Sequence, residues 1–230
     1  MPTLTPLESE ALRLSLRVAF WSVTTSLPVG LLVAWLLARR DFYGKSVLNT
    51  LVHLPLVLPP VVVGYLLLVL FGREGPLGRL LLSAFGITLP FTWQGAALAA
   101  AVMAFPLMVR AMRLSLETVD RRLEAAARTL GAGPAAVFIT ITLPLMAPGI
   151  VVGALLAFAR SLGEFGATIT FAANIPGETR TLPIALYTLI QTPGGETLAL
   201  RLAILSVVLS LAALATSEIL ARRLHARIDG

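Results

Sequence analysis

The sequence predicts an all-α membrane protein with about five transmembrane helices and a sixth, short or re-entrant, segment. Two observations lead there. Of the 230 residues, 57% are hydrophobic and 13% charged, with a mean hydropathy of +0.88, so the polar balance of a water-soluble domain is missing. The apolar residues also come in runs of about twenty, the length a helix needs to cross about 30 Å of hydrocarbon. Residues 1–230 therefore read as a single membrane domain. The formal charge of +6 is scattered over short segments between these runs rather than gathered on a basic face with interleaved aromatics, which argues against nucleic acid as a partner. Having no cysteine, the chain has no disulfide, thiolate metal site or Cys nucleophile.

The predicted spans are 16–38, 47–71, 91–109, 139–172 and 198–221. The N-terminal Met1 to Pro6 lacks a basic lead-in, the first cation being Arg13, so the first run is expected to remain as an anchor. Arg39, Arg40 and Lys45 follow span 1, Arg110, Arg113, Arg121, Arg122 and Arg128 follow span 3, and Arg222, Arg223 and Arg227 follow span 5. These eleven of eighteen cations mark the cytoplasmic side, which puts the N-terminus outside and the C-terminus in the cytoplasm. Span 2 carries Pro55, Pro59 and Pro60 followed by Gly64, and each proline removes a backbone donor, so a kink or break at mid-membrane is expected. Such a break either lines watery space or serves packing. Trp93 beside Phe91 suits an interfacial anchor at the outer end of span 3. In span 4, Gly149, Gly153, Ala157 and Ser161 form a small-residue stripe for close helix contact, within the chain or at a subunit boundary. Thr181 to Gln191, inside an outer loop of about 173–197, has only ten or so apolar-rich residues and reads as re-entrant, interfacial or a plain loop helix. In span 5, Glu218 and Arg222 are spaced for a boundary ion pair.

The loop of about 112–136 between spans 3 and 4 carries the clearest pattern. Arg113 to Leu130 reads as one exposed helix, with Leu116, Val119, Leu123, Ala126, Ala127 and Leu130 as an apolar stripe and Glu117/Arg121 and Glu124/Arg128 as ion pairs. Gly131 provides a left-handed stop and Pro134 a new helix start. A short amphipathic helix of this kind either lies on lipid or fits a groove on a soluble partner.

Ala125-Ala126-Ala127, three residues, Gly131, nine residues and Ile141-Thr142-Leu143-Pro144 resemble the coupling loop of bacterial ATP-binding-cassette importer permeases, in which Glu-Ala-Ala is followed by Gly and Ile-x-Leu-Pro. In that register the acidic position is Ala125, and the glutamate, Glu124, stands one residue earlier. The segments His53 to Tyr65, Ala157 to Phe171 and Asn174 to Thr181 are similar to the molybdate permeases of that family. The resemblance implies a type I importer permease fold in a bacterial inner membrane and a homodimeric channel. It also implies two cytoplasmic ATP-binding subunits that carry ATP and magnesium, and an extracytoplasmic oxyanion-binding protein. No cofactor is expected on this chain. Transport of molybdate or tungstate by alternating access would follow, with a sulfate/thiosulfate permease as the alternative within the family and a membrane scaffold outside it. Leu123, Glu124, Ala125, Ala126, Ala127 and Gly131 would then couple the chain to the ATPase. Gly44-Lys45-Ser46 ends like a phosphate loop, but Arg39 stands at the place of its first glycine and no strand precedes it.

Arg160 and Glu164 fall roughly 24 and 30 Å along span 4 from Pro144, in its outer third, at ion-pair spacing. They read either as a structural pair or, with Thr168 and Thr170 one and two turns beyond, as part of an anion path or outer gate. His53 is a lone histidine at the inner end of span 2 and reads as a satisfied interfacial residue; with His225 it forms no metal or triad spacing, and no enzymatic activity is expected.

Overall fold

The computed structural model describes the backbone of residues 4–228, and the side chains of that stretch except 217, 218 and 221–228. Every regular element among the described residues is a helix. The first, α1 (Pro6–Arg39), begins ten residues before the predicted span because Thr5 and Glu8 form a capping box with Pro6 behind it. Hydropathy misses this start: Glu8 is buried, and Arg201 pairs with it at 3.0 Å.

Span 2 is broken as its prolines predict. Helix α2 (Lys45–Val57) and α3 (Pro60–Phe71) meet at 118°, with Pro59 as the extended cap and Pro60 opening α3. Pro55 is carried inside α2 without ending it. A ten-residue helix unforeseen in the sequence follows, α4 (Pro76–Phe85), stopped by left-handed Gly86.

Helix α5 (Trp93–Thr118) is the central post, packed against α1 and against the later helix α8. In its most apolar window 67% of residues are buried, against 22% in α1 and 11% in the last helix, so α5 is enclosed by its neighbours while the other two leave most of their surface uncovered. Its run of alanines, with Ala96, Ala99 and Ala100 fully covered, lets neighbours approach closely.

The predicted single helix from Arg113 to Leu130 does not form. Thr118 ends α5, Val119 and Asp120 are extended, and Asp120 caps a separate α6 (Arg121–Thr129) by accepting from the Arg122 amide at 2.9 Å. Residues 112–118 are thus the last turns of α5 rather than loop, with Met112 and Leu116 in the core.

A 29-residue span follows, made of α7 (Pro134–Val137), a π-helical turn (Phe138–Thr142) and α8 (Leu143–Leu162). Pro144 opens α8 directly after the widened turn, where its missing amide hydrogen costs least, and Pro148 is carried inside α8. The span predicted to reach residue 172 stops at Leu162; Gly163 ends it and α9 (Gly166–Ala172) sets off separately. The small-residue stripe faces this chain's own helices. A methyl on Gly149 would meet Ser115 Cβ at 2.1 Å, one on Gly153 would meet the Met108 carbonyl at 2.9 Å, and Ser161 reaches Ser22 of α1 at 2.8 Å.

Residues 182–190 form α10 (Leu182–Ile190), whose nine residues reach only about 14 Å. Its buried side chains pack with Ala11 and Leu202, so it is an inserted wedge rather than a crossing. Helix α11 (Glu196–Ile228) completes the bundle against α8 and α10. The Glu218 and Arg222 side chains, the tail arginines and His225 lie outside the described side chains.

Candidate functional site

Two places concentrate polar chemistry. The first is α6 and what holds it. Glu124 makes no pair with Arg128, and Glu117 none with Arg121. Instead Glu117 receives Arg113 at 2.8 Å on α5, while Glu124 Oε1 accepts from Arg39 Nη2 at 3.0 Å and from the Thr142 hydroxyl at 2.8 Å. The break at Val119 explains the change: it separates Glu117 from Arg121 by a bend, and it turns Glu124 back toward the bundle. Arg39 Nη2 also donates to the Val119 carbonyl at 3.2 Å. One carboxylate oxygen therefore joins the end of α1, the middle of α6 and the π-turn below α8. The one-residue offset of the acid thus points it inward, while Ala125, in the register's acidic position, is exposed.

The opposite face of α6 is apolar and open. Leu123 is 48% exposed and Leu130 88%, with Ala126 exposed between them and Ala127 half-buried. Leu116 and Val119, assigned to the same stripe from sequence, are buried in the core. Gly131 has φ +89°, as the left-handed stop requires, and Ala132 N–H closes the cap on the Ala127 carbonyl at 3.0 Å.

The second place is where the two broken spans meet, which neither sequence segment indicates alone. Helix α3 packs along α9. A methyl on Gly64 would lie 2.6 Å from the Ala167 carbonyl, and one on Gly166 would lie 2.7 Å from Pro60. Beside this seam, Arg160 Nη1 pairs with Glu164 Oε2 at 2.7 Å, as the spacing predicts. The Glu164 side chain is 1% exposed and its other oxygen accepts from the Ala167 amide at 2.9 Å, capping the short helix; Arg160 is 30% exposed. The break at Gly163 overturns the idea of two threonines spaced outward along one helix. Thr168 is fully buried and its hydroxyl finds no partner, while Thr170 donates to the Gly166 carbonyl at 2.8 Å. At the far end of α9, Ala173 takes φ +62° and Phe91, at φ +64°, donates its amide to the Phe171 carbonyl. Asn174 ties the following loop together, accepting from Arg180 at 2.8 Å and donating to Thr188 at 2.9 Å. Trp93 is held by the Arg17 guanidinium 3.7 Å over its ring. His53 Nδ1 lies 2.8 Å from the Asn49 carbonyl, the satisfied role expected of it. Among the described residues no three His, Cys, Asp or Glu side chains gather as a metal site would need.

Residues 26–226 match the model of the family described as "Binding-protein-dependent transport system inner membrane component". The chain belongs to that family. It is 65% identical to the molybdenum transport system permease protein ModB of Escherichia coli (strain K12), over 95% of this chain and 96% of that one. To the sulfate transport system permease protein CysW of Synechococcus elongatus it is 40% identical, over 86% of this chain and 70% of that one. Among solved structures, a bacterial ABC transporter that imports alginate shares the fold, with a TM-score of 0.75 at 18% identity, over 96% of this chain and 80% of that one. The all-α membrane fold and the importer-permease resemblance read from the sequence are therefore correct, and the relatives are permease subunits.

Proposed function

We propose that this chain is the membrane channel subunit of an ATP-driven importer for molybdate or tungstate. Two copies form the channel, two cytoplasmic ATPase subunits holding ATP and magnesium drive it, and an extracytoplasmic binding protein delivers the oxyanion. This chain holds no cofactor. The observation that carries the reading is its near end-to-end, 65% identical match to a molybdenum permease. The geometry of α6 supports it: a capped helix clamped from behind by Arg39 and Thr142 presents Leu123, Ala126 and Leu130 outward, as insertion into a groove requires. Residues 121–131 are then the coupling element, and the excess of arginines around it supports a cytoplasmic face there, with the N-terminus on the other side.

In the cycle, closure of the ATPase pair moves α6, and the spans attached to it tilt between inward-facing and outward-facing states. The paired breaks at Pro59–Pro60 and Gly163 form the flexible outer seam of the path. There Arg160, partly exposed, offers a guanidinium to the passing dianion, and Glu164 orients it. Thr170 sits next to the seam, and Thr168 stays behind it in this conformation.

Uptake of labelled molybdate by vesicles holding the full complex, competed by tungstate and by sulfate, tests this. Competition by tungstate alone supports it. Competition by sulfate moves the chain to the sulfate permeases, and no flux from a correctly inserted complex leaves a scaffold.

A further inference from the structure

Behind α6, on the side away from its open leucines, lies a pocket of about 280 Å³ lined by Trp35, Arg39, Arg40, Arg121, Glu124, Ala125 and Arg128. Four guanidiniums face one carboxylate, and that carboxylate already accepts from Arg39 and Thr142. The Arg39 side chain is only 9% exposed, yet its Nε has no hydrogen-bond partner. Cations thus outnumber the acceptors around this pocket, and an anion there would balance them. Arg40 stacks 5.2 Å from the Trp35 ring and, like Arg128, has no ion pair among the described residues.

This pocket opens onto a mainly apolar cleft of about 350 Å³. Trp35, Arg40, Glu124 and Arg128 line both, and Pro28, Leu31, Leu32, Val137 and Phe138 continue the cleft. From Pro28 to Arg40 the α1 path is roughly 18 Å, so an anionic end and an apolar trough adjoin within the length of one acyl chain. Leu32, at the trough's edge, is 56% exposed on a span's outer surface. A free oxyanion or a partner's carboxylate would use the pocket and leave the trough empty; an amphiphile uses both.

We propose that this composite site binds one acidic phospholipid of the inner leaflet, its phosphate among Arg39, Arg40 and Arg128 and an acyl chain along Leu31, Leu32 and Phe138. The assignment rests on the cytoplasmic placement of α6 given above. The lipid would brace α6 against α1, so coupling between ATP hydrolysis and transport depends on acidic lipid.

The test uses the full transporter complex, delipidated and reconstituted in phosphatidylcholine with or without phosphatidylglycerol. Native mass spectrometry is expected to find phosphatidylglycerol retained on the wild type and at least fivefold less on Arg40→Gln, with Arg40→Lys intermediate. Transport per ATP hydrolysed is expected to fall severalfold in pure phosphatidylcholine. Equal retention on wild type and Arg40→Gln overturns the proposal. So does restoration of coupling in phosphatidylcholine by inorganic phosphate or molybdate alone, which would make the pocket a free-anion site. Molybdate flux in phosphatidylglycerol vesicles is read separately, so its absence counts against the transport function and not against the lipid site.

Discussion

The α6 region and the seam between α3 and α9 solve opposite problems with the same kind of residue. At α6 an ion pair points inward and apolar side chains stand in the open: Glu124 holds Arg39, while Leu130 is 88% exposed. At the seam an ion pair also forms, but there Gly64 and Gly166 bring α3 and α9 into close contact, and Glu164 caps a helix instead of linking two spans. The difference teaches where each region spends its stability. The α6 clamp fixes a surface for something else to grip, whereas the Glu164 cap fixes a break within the bundle.

Removing the clamp is expected to have the largest effect. Glu124→Ala leaves Arg39 buried without its carboxylate, at a cost of about 3–5 kcal/mol. Hydrogen exchange should then quicken across α6 and the π-turn while α9 stays protected; equal loosening at both places would erase the contrast. Next comes Glu164→Gln, which weakens the Arg160 pair and the charged cap of α9 by about 1–3 kcal/mol. It should lower molybdate transport with ATPase assembly intact, as measured by uptake and co-purification.

Leu130→Asp sharpens the comparison from the exposed side. The leucine has almost no contacts to lose within the chain, so the melting temperature should hold. Forfeiting about 1.5–3 kcal/mol of burial should weaken ATPase binding roughly 10- to 100-fold in a pull-down titration. Gly131→Val forces a β-branched residue into φ +89° and costs about 1–2 kcal/mol locally. It should uncouple ATP hydrolysis from uptake, and normal coupling would argue against the cap's role. The smallest effect belongs to Asp41, fully exposed beside Lys45, whose hydrogen bond and charge hold the carboxyl below its ordinary 3.8. A depressed carboxylate pKa adds stability that is lost only as pH falls through the lowered value. At pH 7 that contribution is present in full, but solvent screens so exposed a pair, and Asp41→Asn should lower the melting temperature only slightly, with the difference vanishing below the lowered value.

Much of this architecture could be read in the sequence because hydrocarbon imposes length and composition directly. The breaks at Pro59 and Pro60, the left-handed Gly131 and the Arg160–Glu164 pair all follow from local chemistry. Features that depend on distant partners could not be read. Glu124 sits 85 residues from Arg39, so ideal spacing to Arg128 was a misleading guide. The burial of Thr168 depends on α9 leaving the axis of α8 at Gly163, a single glycine without a proline to announce it. The pair of Glu8 with Arg201 spans 193 residues, from the first helix to the last, and nothing near either residue announces it. The start of α4 was hidden for a different reason: ten residues are too few to register as a span.

The three-way junction at Glu124 Oε1 also has a mechanical meaning. Because Arg39 ends α1 and Thr142 lies at the foot of α8, a displacement of the nine-residue α6 cannot be taken up by a slack loop. It is delivered to two long spans at once. The twenty residues of α8 then act as a lever arm of about 30 Å, with its tip at Gly163. A small rotation at the foot emerges as a larger sideways swing at the far end, where the short helices α3 and α9 meet.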